Sequence, residues 1–272
     1  MTKTARREFA RCGRLSWLLL GTFPVSFCAV PEPTAVEVAT VLAAADVLEV
    51  AGAEASLLAM QFDATPASVT EFEAAARAAA NLQRLLMPAG CATIKVEDHV
   101  VSATLAGCTG PYGLPILSGQ LSTAFAVLPR QDGGSELQVC QAATQLGIGA
   151  ATADLLTFAT VAADRSMAFD SMNSGRGARG FEFHRQGKYL LTWNASCRTL
   201  DGEWQNTVAE RSFRSTVQGF TQCAARCPQS GSLTVDSSDL TGPLTVSYSG
   251  ESAATWSTSQ SQGNSLDLAC EP

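Results

Sequence analysis

The sequence predicts a mainly β protein, an antiparallel sandwich or meander sheet behind an N-terminal α-helical hairpin, α+β overall. Three observations predict it. Apolar residues recur at helical spacing up to residue 90 and at alternate positions after it. The later part breaks into many short runs separated by Gly, Asp and Pro turn residues. Cysteines flank those runs in the manner of a stapled, exported domain. The expected organisation is an export signal over 1–28, a tether over 29–35, a helical hairpin over 36–90 and a disulfide-stapled β domain over 91–272.

Residues 1–14 carry Lys3, Arg6, Arg7, Arg11 and Arg14 against one acid, Glu8, and an apolar stretch follows from Leu15 to Val30. A basic segment followed by a short apolar one is the pattern of an export signal. The stretch is too short for a permanent span, and Gly21 and Pro24 weaken it further. Arg6-Arg7 matches the twin-arginine pattern. Val25-Ser26-Phe27-Cys28 resembles a bacterial lipobox, which makes Cys28 a candidate for lipidation. Phe27 departs from the small residue usual at that position.

After the tether, with Pro31 and Pro33, a helix begins at Thr34, and Glu37 supplies the spacing of a capping box. Val38, Val41, Leu42, Ala45, Leu48 and Ala55 form its stripe to about Met60, with Asp46 and Glu49 off it. Gly52 costs helicity. A second helix is expected from Thr65-Pro66, with Val69, Phe72, Ala76, Ala79, Leu82 and Leu86 on one face. Pro88-Ala89-Gly90 ends it, and the hairpin is expected to cover one end or face of the sheet.

Strands are expected at Ala92–Glu97 and Val100–Ala106, through Leu117–Val127, at Ser135–Gln141 and over Ser212–Phe220, Ser232–Val235, Leu244–Tyr248 and Ser265–Cys270. Phe181–Arg185 and Lys188–Trp193 read as a hairpin about Gln186-Gly187. Gln131–Gly134, Asp201-Gly202 and Thr241-Gly242-Pro243 read as turns. Residues 142–165, rich in Ala and Gly, read either as a broken helix or as a loop.

The chain has 272 residues, with 46% apolar and 16% charged, which permits a sizeable core and excludes general disorder. Nine cysteines and a pI near 4.9 argue against a cytosolic nucleic-acid binder. Residues 28–272 keep 13 of the 18 basic and 24 of the 25 acidic residues, a net charge of −11. Such a field repels phosphate backbones and anionic headgroups.

Cys91 and Cys108 flank the first hairpin, so a symmetric hairpin sets them opposite each other at disulfide distance. Cys227 and Cys270 bracket the last strands in the same way. Of Cys140, Cys197 and Cys223, the pair Cys197–Cys223 is preferred, and one cysteine is left over in any pairing. Cys223-x3-Cys227 approaches zinc-knuckle spacing, but no second close pair exists and His184 is remote in sequence.

Only two histidines exist, His99 and His184, and neither neighbours a nucleophile motif. No Gly-x-Ser-x-Gly, His-Glu-x-x-His, P-loop or dinucleotide fingerprint occurs. Two-carboxylate hydrolysis remains open, though no pair stands out. Asp236, Asp239 and Glu251 read as solvated loop acids or as a calcium site. Arg176-Gly177-Ala178-Arg179-Gly180 reads as a surface loop or an anion grip. Trp193, Trp204, Trp256, Tyr189 and Tyr248 read as core or as a sugar-stacking face. Asn194-Ala195-Ser196 is a glycosylation sequon.

Cys91-Ala92-Thr93-Ile94-Lys95-Val96, Gly107-Cys108-Thr109-Gly110-Pro111-Tyr112-Gly113 and Ser118-Gly119-Gln120-Leu121 resemble a module of uncharacterised exported lipoproteins of Gram-negative bacteria. Cys227-Pro228-Gln229-Ser230-Gly231-Ser232-Leu233 resembles the strand opening of the same style. The resemblance implies surface display and a β architecture; it implies no activity. The expectation is an exported cell-envelope protein of the periplasm, outer membrane or cell surface, acting as a non-enzymatic surface or binding component. An exported carbohydrate-active hydrolase using two carboxylates is one alternative, and a self-assembling structural envelope protein is another. No cofactor, metal or nucleic-acid partner is expected. Membrane contact would come only through a lipid on Cys28, and the partners considered are a surface ligand or further copies of the chain.

Overall fold

Thr34 and Glu37 cap each other: the Thr34 N–H donates to Glu37 Oε2 at 2.7 Å and the Glu37 N–H donates to Thr34 Oγ1 at 3.2 Å. The helix they open, α1, runs Ala35–Gln61. This computed structural model describes residues 32–62, 69–129, 134–162, 164–208, 211–224, 227–261, 263–268 and 270. The expected export signal, Cys28 and the first part of the expected tether lie outside the described residues, as do Thr65-Pro66 and residues 131–133 of the expected turn. The second helix, α2, runs Glu71–Leu85 and starts at a capping box between Thr70 and Glu73, five residues later than the Thr-Pro pair suggests.

Thirteen strands follow among the described residues. They are β1 (Ala92–Glu97), β2 (Val100–Gly110), β3 (Leu114–Pro129), β4 (Ser135–Ile148), β5 (Ala151–Val161), β6 (Ser166–Arg176) and β7 (Glu182–Trp193). Then come β8 (Arg198–Val208), β9 (Arg211–Gln222), β10 (Ser230–Asp236), β11 (Leu244–Tyr248), β12 (Ala253–Ser257) and β13 (Asn264–Asp267). They form one sheet in chain order, so the fold is mainly β with an N-terminal helical part, and it is a meander rather than a sandwich. Each pair of neighbours is antiparallel.

The sheet curls around α1. From Thr40 through Gln61 only Leu42 and Glu49 escape burial. Its side chains bond to strands over half the sheet: Gln61 Nε2 donates to Gln141 Oε1 of β4 at 2.8 Å, and Arg198 Nε of β8 donates to Ser56 Oγ at 2.6 Å. The curl brings distant connections together. Tyr112, between β2 and β3, donates its hydroxyl to the Asn194 carbonyl, between β7 and β8, at 2.9 Å. The hairpin is therefore not laid on an end or face. Helix α1 is the core, and the stripe expected to leave Asp46 exposed does not exist, because a helix walled on every side has no wet face. Helix α2 has one, and packs Ala74, Ala75, Ala78 and Leu82 inward.

Within the stretch 142–165, expected as a broken helix or a loop, residues 142–148 and 151–161 are strand, joined by a turn at 149–150. Ala151, Ala153, Leu155, Thr157, Ala159 and Val161 alternate inward along β5, and the small side chains let the sheet approach α1 closely. Gln186-Gly187 is no turn either; β7 passes straight through it. A Cβ on Gly187 would lie 2.3 Å from that of Trp204, so the glycine makes room for a buried indole. Asp201-Gly202 is a register shift inside β8, where Asp201 accepts from the Gly219 N–H at 2.7 Å.

Cys91 is bonded to Cys108, Cys197 to Cys223 and Cys227 to Cys270, and Cys140 is a free thiol. The first hairpin is not symmetric about them. Glu97 pairs with Val100, which sets Cys91 against Ala106, and a bulge at Gly107 brings Cys108 round to a Cα separation of 5.3 Å. Beside this bridge, Met87 and Thr109 exchange backbone bonds of 2.9 and 2.7 Å that fasten the end of α2 to β2.

Candidate functional site

Helix α1 carries three acids between residues 46 and 54, and the sheet meets each differently. Glu54 is fully enclosed and ion-paired with Arg185, also fully enclosed. It accepts from the Thr157 hydroxyl, from Ser171 Oγ at 2.8 and 3.0 Å, and from Asn173 Nδ2 at 2.8 Å. These donors come from β5, β6 and β7, on inward positions of neighbouring strands. The guanidinium also lies 5.3 Å from the Tyr189 ring centroid. This is a structural clamp that fixes α1 against the sheet, its ion pair shut off from solvent.

Asp46 is 1% exposed and is held by the β6–β7 turn. The Arg179 N–H donates to its Oδ2 at 2.9 Å, the Arg179 guanidinium pairs with its Oδ1, and that guanidinium also reaches the Asp267 carbonyl at 3.1 Å. A Cβ on Gly177 would lie 2.3 Å from Asp46 Oδ2, so the glycine permits the approach. The Arg176–Gly180 loop thus does grip an anion, and the anion is the protein's own helix carboxylate.

Glu49 is different. It lies 3.6 Å from Arg179, yet its side chain is 37% exposed because it faces a cavity. The protein wall around it pushes its carboxyl up to about 7; Arg179 opposes that rise and the Asp46 charge adds to it. Burial, with Glu49 nearby, pushes the Tyr248 hydroxyl up as well.

The cavity holds about 270 Å³ and sits on the seam where the curled sheet meets itself. Leu48, Glu49, Gly52 and Ala53 of α1 make its floor. Leu114 and Ile116 of β3 and Ile148 of β4 stand on one side, with Phe220, Gln222 and Tyr248 on the other. The Cys227–Cys270 bridge closes the rim through Cys270. Behind the floor lies Arg198, 1% exposed. It donates to Ser56 and Gln222 and rests 5.8 Å from the Phe220 ring centroid. Burial lowers its pKa to about 9.

The other expected residues fall elsewhere. His99 lies in the exposed β1–β2 turn and His184 on the outer face of β7. His184 borders an open outer groove of about 830 Å³ with Met172, Gln186, Gln205, Phe213, Arg214 and Asp236, a mixed polar and apolar stretch of the outer sheet. The five aromatics are all buried, so they form no stacking face; Tyr189 stacks on Phe169 and Trp204 at 4.8 and 5.6 Å. Cys223 and Cys227 are in separate disulfides, which removes the knuckle spacing from use. Among the described residues no group of three His, Cys, Asp or Glu gathers, so Asp236, Asp239 and Glu251 make no calcium cluster. Asn194 Oδ1 accepts from the Ser196 and Cys197 N–H groups at 2.8 Å each, which gives it a turn-forming role.

Sequence reasoning missed Gly52, Glu54, Arg185 and Arg198. The signal was present in part: acids at 46, 49 and 54 in an otherwise apolar helix need buried partners once that helix is central. Comparison of the chain with protein-family models, with curated proteins and with solved structures finds no match.

Proposed function

We propose that this is an exported cell-envelope protein of the periplasm, outer membrane or cell surface, non-enzymatic, that holds a small and mostly apolar ligand in the seam cavity. The observation that carries the reading is the cavity itself: apolar walls from both halves of the sheet, with a few polar groups, Glu49, Gln222 and Tyr248, converging on it. Three disulfides support a compartment where thiols oxidise. Membrane attachment, in this reading, comes from a lipid on Cys28, which intact mass of the purified protein reports.

The test is binding of a neutral, environment-sensitive dye such as N-phenyl-1-naphthylamine. Ala150, exposed in the β4–β5 turn, lines the cavity mouth. Saturable dye binding that Ala150→Trp weakens at least about tenfold supports the reading. Equal binding by both proteins, or none, overturns it.

A second reading, a two-carboxylate hydrolase, has one observation in its favour: Glu49 faces a cavity with its carboxyl raised into the range of a general acid. Against it, the neighbouring acid Asp46 is enclosed and engaged by Arg179, so the cavity presents one carboxyl rather than a facing pair. Turnover of aryl glycosides that Glu49→Gln abolishes would favour the hydrolase. Self-assembly would draw on the outer face, where Phe158 and Leu190 are half exposed, and mass in solution tests it.

A further inference from the structure

We propose that the cavity's occupant is an anionic single-chain amphiphile, its carboxylate head turned past Gly52 and Gln222 to the Arg198 guanidinium. This rests on the reading of the cavity as a binding site. The argument starts from a contrast among three interior arginines. Arg185 has Glu54 and Arg179 has Asp46. Arg198, as deeply buried as Arg185, has among the described residues only neutral acceptors, Ser56 and Gln222, and the Phe220 ring. Its Nη1 has no hydrogen-bond partner among the described residues, as is true of Nε and Nη1 of Arg185, so what sets Arg198 apart is the missing counter-charge. A buried cation without a counter-charge is costly, and an anion brought alongside recovers much of that cost.

The cavity places such an anion within reach. Gly52, Phe220 and Gln222 all line it, and all flank the guanidinium, with Gln222 hydrogen-bonded to it. A Cβ on Gly52 would lie 2.7 Å from Arg198 Nη2, so a glycine that weakens the helix interior is what lets the guanidinium sit against α1. A ligand carboxylate replacing the Gln222 amide oxygen would turn a neutral acceptor into a charged one, which makes a stronger hydrogen bond. Glu49, the acid on the same floor, repels an anionic head and so orients it toward Arg198. Leu48, Leu114 and Ile148 supply an apolar path for the tail. At ~30 Å³ per water-sized group, the volume suits roughly nine such groups, a short single chain rather than a two-chain lipid.

The test is calorimetric titration of the oxidised protein at pH 8 with decanoate, decanol and decylamine. The expected order is decanoate at least about tenfold tighter than decanol, with decylamine weakest. Gln222→Glu, which sets a carboxylate of the chain beside Arg198, is expected to abolish the preference for decanoate while decanol still binds. Arg198→Gln should do the same where it folds. If decanol equals decanoate, or decylamine binds best, the anionic assignment is overturned and the cavity reading stands. If none of the three binds, the cavity reading falls and takes this inference with it.

Discussion

Replacing Glu54 by Gln changes one oxygen to nitrogen at the centre of the molecule and is expected to be severe. The wild-type carboxylate receives hydrogen bonds from Thr157, Ser171, Asn173 and Arg185, all buried. Gln keeps one acceptor and turns an amide NH₂ toward Asn173 and Arg185, which both donate to Oε2 in the wild type. The larger loss is the charge. Breaking a buried ion pair from one side costs about 3–5 kcal/mol, and each donor left unmet adds about 1–3 kcal/mol. A loss of at least ~4 kcal/mol follows. With a urea slope of about 3 kcal/mol/M, suited to a chain of this size, the midpoint should fall by roughly 1.3 M. The assay is urea unfolding of the oxidised protein, followed by tryptophan fluorescence. Adding Arg185→Met to a Glu54→Met variant should recover part of the loss, since no charge is then stranded, but not all, because Thr157, Ser171 and Asn173 still lack their acceptor. A midpoint shift below about 0.3 M for Glu54→Gln would refute the argument that this pair clamps the helix to the sheet.

Glu49 gives a pH signature. Its folded carboxyl sits near 7 against an ordinary 4.5, so the folded state holds a proton that the unfolded chain releases between those values. Stability should therefore fall as pH rises from 4.5 through 7, and Glu49→Gln should flatten that slope in unfolding curves from pH 4 to 8; an unchanged slope would contradict the raised carboxyl of this cavity-facing acid. Gly177→Ala should cost about 1–3 kcal/mol by driving a methyl into Asp46, seen as a Tm lower by about 2–4 °C per kcal/mol; an unchanged Tm would mean the turn shifts freely. Serine replacement of the disulfide pairs should rank by sequence separation, 43 for Cys227–Cys270, 26 for Cys197–Cys223 and 17 for Cys91–Cys108. The chain-entropy estimate is about 4.0, 3.5 and 3.1 kcal/mol in that order. Chemical unfolding of the three variants checks the ranking, and a reversed order would count against it.

Much of the architecture was legible because it is local. Thr34 and Glu37 announce a helix start through their own side chains, and Leu244–Tyr248 announces a strand through alternation alone. What failed was long-range. Residues 142–165 look non-β by propensity because β5 sets Ala151, Ala153 and Ala159 inward, where small side chains let it approach α1, a partner some hundred residues away. Gly187 looks like a turn because sequence cannot show Trp204 pressing on it from the next strand. The Cys91–Cys108 spacing suggested a bridge, but the bulge at Gly107 that delivers Cys108 depends on β3 as well as β1. For the site, Asp46 and Glu49 read as wet-face acids because an apolar helix offers an arbitrary stripe until its surroundings are known. Arg198 carried no signal at all: its meaning is that no carboxylate among the described residues pairs with it, which only the fold reveals.

The most direct examination of the seam cavity as a ligand site is anomalous diffraction from crystals of the oxidised protein grown with 10-bromodecanol, a neutral probe that leaves the Arg198 question aside. Bromine signal is expected inside the cavity, between Leu48, Ile148 and Tyr248. Signal confined to the outer face beside Phe158 and Leu190 would contradict it.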